Sequence, residues 1–171
     1  MLTIDGSYGE GGGQILRSSL TLSAITHKPV RLVNIRAGRS KPGLRPQHLT
    51  AVRAAGAICD AELVGDQLDS QTLTFVPRTA PQAGEYAFDV ADAARGGSAG
   101  SVMLILQTVL LPLALAASGD SRLILKGGTN VPWSPSALYV QHVYLPTLAK
   151  LGVTANLDIL RWDFILVVEE R

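Results

Sequence analysis

Gly9-Glu10-Gly11-Gly12-Gly13-Gln14 sets one carboxylate inside a run of glycines. From Gly11 to Cys59 the chain then carries eight Lys or Arg and no Asp or Glu. Glycines at a strand-to-helix corner let backbone N–H groups converge on an anion, and a helix N-terminus adds partial positive charge. A bare phosphate would repel Glu10, and a divalent cation bridging Glu10 to phosphate oxygens removes that conflict. The turn lacks the Gly-Lys-Ser/Thr ending of a P-loop. Gln14 also stands where a dinucleotide fingerprint needs its third glycine. Gly11, Gly12, Gly13 and Gln14 are therefore candidate phosphate-binding residues and Glu10 a candidate metal ligand. The bland alternative is a glycine-rich corner with no ligand.

The second candidate segment runs from Asn34 to His48. Arg36, Arg39, Lys41 and Arg45 crowd one loop with no acidic residue among them. Guanidinium forks suit phosphate oxygens. Pro42 and Gly43 restrict the loop and lower the entropy cost of holding like charges together. This loop and the glycine turn both follow a strand and precede a helix, so they are expected to be neighbours. A solvated basic loop without a partner is the competing reading.

Two further corners, Gly96 to Ser101 and Gly127 to Pro135, are polar, glycine-rich and nearly uncharged. They suit sugar or base contacts, with Asn130 a candidate. Trp133 either stacks on a base or caps the core. Of the three histidines, His27 falls in a turn and His142 inside the last helix, where it reads as structural. His48 opens a helix beside the basic loop and is the one attractive candidate for nucleophilic or acid–base work.

The elements that must position these residues read as one pattern twice. Leu2–Asp5, a helix from Gly13 to Ile25, Val30–Ile35, a helix from Pro46 to Cys59, and strands Ala61–Val64 and Thr72–Val76 form a first unit. Tyr86–Val90, a helix from Ala99 to Ala117, Arg122–Lys126, a helix from Ser136 to Leu151, and a hairpin of Thr154–Leu160 with Phe164–Glu170 form a second. The expected fold is α/β, with two βαβαββ repeats. Each is a mixed four-stranded sheet with two helices on one face. The repeats cover residues 1–79 and 84–171, joined by a linker at 80–83. Bare helical faces would pack together into one shared core.

The chain has 171 residues, 47% hydrophobic and 17% charged, enough to bury a core. Its net charge of +1 conceals a basic stretch followed by an acidic one, which excludes a diffuse basic coat and favours a localised basic face. The lone Cys59 cannot form an internal disulfide, which suits a reducing, cytoplasmic compartment, and it reads as a small core residue. No signal peptide is expected. The apolar run from Val102 to Ala117 falls short of the ~20 residues that span a bilayer, so a buried helix is expected rather than a membrane contact.

The glycine turn, Asn34-Ile35-Arg36-Ala37-Gly38-Arg39, Lys41-Pro42-Gly43-Leu44, Gln47-His48-Leu49-Thr50, Leu106-Gln107-Thr108 and Gly127-Gly128-Thr129-Asn130 together resemble the RNA 3′-terminal phosphate cyclase family. The resemblance runs from residue 2 to about 162. It implies repeated units like the C-terminal domain of translation initiation factor 3. It implies ATP- and divalent metal-dependent (Mg²⁺ or Mn²⁺) conversion of RNA 3′-phosphate ends to 2′,3′-cyclic phosphates. In that reaction AMP passes through a histidine of the enzyme to the RNA phosphate, where the neighbouring 2′-hydroxyl displaces it. By motif match, Glu10 is the metal-associated carboxylate. Arg17, Arg36, Arg39, Gln47 and His48 line the nucleotide and RNA-end site, with Gln107 near the nucleotide.

The chain also departs from the family, whose enzymes are about twice as long and carry the adenylated histidine in a later part that no position here matches. A homodimer would restore the number of repeats but not that histidine. The alternatives are a non-catalytic RNA-end-binding or ribosomal RNA-processing module, a truncated family fragment, and an unrelated enzyme on the same repeat, such as an enolpyruvyl transferase.

Overall fold

The computed structural model describes residues 1–94 and 100–162. Strand β1 (Leu2–Asp5) leads through the glycine turn into helix α1 (Gly13–Thr26), and β2 (Val30–Val33) leads through the basic loop into α2 (Pro46–Ile58). Strands β3 (Glu62–Val64) and β4 (Leu73–Val76) complete a mixed sheet in the order β1-β2-β4-β3. β1 and β2 are parallel and the other pairs antiparallel. The register sets Ile4 beside Leu32, Leu32 beside Leu73, and Val30 beside Phe75. One sheet face is therefore apolar, and it packs on Leu16 and Leu20 of α1 and Leu49 and Val52 of α2. Because β1 and β2 run parallel, the loops leaving their C-terminal ends are adjacent. In sheets of this kind such loops carry ligand sites.

Helix α2 serves two cores. Leu49, Val52, Ala55 and Cys59 face the first sheet, while Ala51, Ala54 and Ile58 face α3 (Val102–Ala116). Cys59 is buried, as the sequence led us to expect, and its thiol is pushed up to about 11 by burial and by Asp60. Pro112 lies inside α3 and has no N–H to give the carbonyl four residues earlier. That carbonyl, Thr108 O, instead accepts from Thr21 Oγ1 of α1 at 2.9 Å. The bond satisfies a buried acceptor and ties α1 to α3. Among the described residues no helix is long and apolar enough to cross a membrane.

The second half keeps the order strand, helix, strand, helix. Strands β5 (Glu85–Asp89) and β6 (Arg122–Lys126) are parallel, so their following loops also meet: Ser101 bridges Gly128, and Gly128 N–H donates to Gly100 O at 3.0 Å. One expectation differs here. Thr154–Leu160 forms no ladder among the described residues, although Ala155, Leu157 and Ile159 alternate inward onto the second core. Alternation reports burial, not pairing. The expected partner strand, Phe164–Glu170, lies outside the described residues. The last helix is present without a break from Ala137 to Ala149, but its pitch is not uniform. It runs as α4 (Ala137–Tyr139), a π-helical turn (Val140–Tyr144) and α5 (Leu145–Ala149). Pro146 cannot donate to the carbonyl of His142 and its ring crowds it, so a wider turn just before it relieves the conflict.

Candidate phosphate-binding site

The two corners meet at the start of α1. Its N-cap, Gly12, is extended and supplies no side-chain cap, so the first N–H groups of the helix face outward unpaired by a cap. A β-carbon built at Gly12 would lie 3.1 Å from the Arg39 guanidinium. One built at Gly13 would lie 2.4 Å from His48 Nε2 and 3.0 Å from an Arg17 guanidinium nitrogen. Gly13 is glycine because the imidazole and Arg17 occupy the space a side chain would need.

Arg17 is 9% exposed. Its guanidinium donates to Gln14 Oε1 at 2.8 Å and to Gln107 Oε1 at 3.2 Å. Burial pulls its pKa down, though an arginine stays charged. Arg36 donates to the carbonyls of Lys41 and Gly43 at 2.8 and 2.9 Å, which shapes the basic loop around it. Burial, then Arg39 and Arg45, lower its pKa. Gly43 adopts φ +74°, and an added β-carbon would sit 2.2 Å from Asp69 O, so the β3–β4 loop closes on this one.

The expectation of a loop without acidic relief is corrected. Arg39 pairs with Glu10, Arg45 with Asp69, and Arg53 with Asp66. The acids come from the glycine turn and the β3–β4 loop, not from the basic stretch itself. Among the described residues, Arg17, Arg36 and Lys41 have no carboxylate partner. The net field between the corners thus rests on Arg17 and Arg36, both partly dehydrated. Pairing of exposed groups is weak enough for a phosphate to displace it.

His48 is 6% exposed and sits at the third position of α2. Its Nδ1 accepts from Arg45 N–H at 3.3 Å, half of a capping box. The Arg45 guanidinium has no acceptor with which to supply the other half. This bond assigns the remaining proton of the neutral ring to Nε2, against Gly13. Burial first, then Arg36, Arg17 and Arg45, lower its pKa to about 3. At neutral pH it is an uncharged cap.

Other expected site residues disperse. Gln47 Oε1 accepts from Ser101 N–H at 3.0 Å, and so ties α2 to the start of α3. Lys41 is exposed, and Asn130 is half-buried on the loop after β6. Gln107 bridges the halves. It contacts Arg17 on one side, and on the other it lines a cavity of about 200 Å³ with Met103, Leu106, Pro135, Tyr139, Val140 and Tyr144. Trp133 does not cap the core, since it is fully exposed. Among the described residues no group of three His, Cys, Asp or Glu is placed to hold a metal ion. Glu10 is a single exposed carboxylate. It fits a cation carried in on nucleotide phosphates, not a resident metal cage.

Known proteins resemble this chain over most of its length. The family model described as RNA 3′-terminal phosphate cyclase matches residues 8–165. A protein of that name from Gloeothece citriformis is 63% identical over 164 residues, 96% of this chain and 47% of that protein. One from Methylococcus capsulatus is 59% identical over 161 residues, 94% of this chain and 44% of that protein. One from Desulfurococcus amylolyticus is 51% identical over 161 residues, 94% of this chain and 43% of that protein. The chain spans about half the length of the curated relatives it matches. With 158 of its residues inside the family match and half or more identical to such relatives, the chain belongs to the RNA 3′-terminal phosphate cyclase family.

Proposed function

We propose that this chain forms the nucleotide- and RNA-end-binding part of an RNA 3′-phosphate cyclase, the activity that converts a 3′-phosphate to a 2′,3′-cyclic phosphate with ATP. The observation that carries the reading is the convergence of Arg17, Arg39 and His48 on Gly12 and Gly13. In this reading the uncapped α1 terminus, Arg17 and Arg36 hold phosphate oxygens. Glu10 leaves Arg39 to face a divalent cation that arrives with ATP and neutralises charge on its phosphates. The freed Arg39, with Lys41 and Arg45 at the rim, then takes the RNA terminal phosphate. The cavity beside Gln107 accepts the base of the nucleotide, against Pro135 and Tyr139. His48 positions the site and does not attack. Its Nδ1 lone pair is engaged and its Nε2 carries a proton, so it has no free electron pair for phosphorus.

That occupied imidazole also favours a second reading, an RNA-end-binding module without chemistry of its own. One experiment tests both. The protein is incubated with Mg²⁺, α-labelled ATP and RNA oligonucleotides ending in 3′-phosphate or 3′-hydroxyl. Tighter binding of the 3′-phosphate end is expected, and equal affinity for both ends would refute the site. Formation of cyclic ends that survives His48→Gln supports the cyclase reading. Phosphate-selective RNA binding with no label on protein, no cyclic product and no binding of Mg·ATP supports the module.

A further inference from the structure

Val131-Pro132-Trp133-Ser134 is a tight turn closed by Ser134 N–H to Val131 O at 3.2 Å. Trp133 takes φ +64°. Proline at the second position fixes a negative φ there, and the turn type that pairs this with a positive φ at the third position is type II. That third position belongs to glycine or asparagine. A bulky residue held there is strained. Packing does not compensate, because Trp133 is fully exposed. A strained aromatic that buries nothing in the free protein is explained by what it meets when a ligand arrives.

The turn is built to hold it still. Ser134 Oγ bonds Val131 O at 3.0 Å, Ala137 N–H bonds Thr129 O at 3.1 Å, and Ser136 Oγ caps Tyr139 N–H at 3.2 Å. Prolines 132 and 135 stiffen both flanks. Residues 127–136 carry no charged side chain. Pro135, two residues on, lines the cavity beside Gln107. Two residues of chain reach no farther than ~7 Å. The backbone of Trp133 is therefore within ~7 Å of a wall of that cavity, while its side chain is fully exposed and not part of the lining.

We propose that Trp133 is a stacking platform for a base of the RNA strand close to its 3′ end, outside the cavity that takes the nucleotide base. The inference rests on the RNA-end reading above and adds a positioning residue for the strand. Stacking on an aromatic face is tolerant of sequence, so the platform orders the strand without selecting its bases.

Fluorescence tests this directly. Trp162→Phe leaves Trp133 as the sole tryptophan. This protein is titrated with a 3′-phosphorylated oligoribonucleotide and, separately, with Mg·ATP. Quenching by the RNA and not by Mg·ATP is expected. Trp133→Gly should bind the RNA about 5- to 100-fold more weakly, with an unchanged salt slope, while its melting temperature is no lower than that of the parent. Trp133→Phe should restore most of the affinity. Quenching by Mg·ATP alone would assign the indole to the nucleotide and overturn the proposal, as would RNA affinity insensitive to residue 133. Failure of the unaltered protein to bind any RNA would overturn the RNA-end reading as well, whereas binding indifferent to Trp133 sinks the platform alone.

Discussion

Acidification from pH 7.5 to pH 5 is expected to cost about 2 kcal/mol of stability through His48. The folded pKa is about 3, against an ordinary value of 6.5, because burial and the guanidinium groups of Arg36, Arg17 and Arg45 oppose a second positive charge. In the unfolded chain the imidazole protonates as pH falls through 6.5. In the native protein it stays neutral until about 3. Stability present above 6.5 is therefore lost progressively between those values, at about 1.36 kcal/mol per pH unit. Urea titrations at both pH values measure the loss. His48→Gln is the reference, since a glutamine at the same helical position can still accept from Arg45 N–H but does not titrate. Subtracting its pH dependence removes that of the carboxylates and the other histidines. Identical pH dependence in the two proteins would refute the reasoning. Because arginines contribute to the depression, phosphate bound between them should raise the His48 pKa and reduce the difference.

Gly13→Ala should destabilise the fold by about 1–3 kcal/mol, since its methyl would meet His48 and Arg17, and calorimetry should show weakened Mg·ATP binding. Thr21→Val keeps the shape but strands the Thr108 carbonyl that Pro112 cannot serve. A loss of about 1–3 kcal/mol in urea unfolding is expected, with nucleotide affinity unchanged. Arg39→Ala breaks an exposed pair, so stability should change by less than about 1 kcal/mol. RNA affinity should fall, and the slope of its logarithm against log salt should become shallower by about 1.

The first half of the fold was legible because its cues are local. Val30, Leu32, Leu73 and Phe75 alternate, Leu16, Leu20 and Ala24 recur at helical spacing, and both candidate loops follow strands that turn out to be parallel. What was not legible depends on partners distant in sequence. Asp69 and Asp66 neutralise arginines because the β3–β4 loop folds back over Gly43, and no charge count over residues 11–59 reveals that. The lowered pKa of His48 comes first from burial and then from Arg36, Arg17 and Arg45, and that burial is set by packing that its sequence neighbours do not show. Trp133 read equally as a core cap or a stacking residue, and its exposure decides against the cap. The π-helical turn before Pro146 left no periodic signature, since one widened turn shifts the apolar stripe only locally.

In the proposed site the corners after β1 and β2 grip one polyphosphate together, through Arg17 and Arg36, which have no carboxylate partner among the described residues. Calorimetric titration of Mg·ATP into the wild-type chain, Arg17→Met, Arg36→Met and the double variant tests it. Each single change should weaken binding at least about tenfold. The double change should differ from the sum of the two, because both groups contact the same ligand. Wild-type affinity in the folded single variants would contradict it.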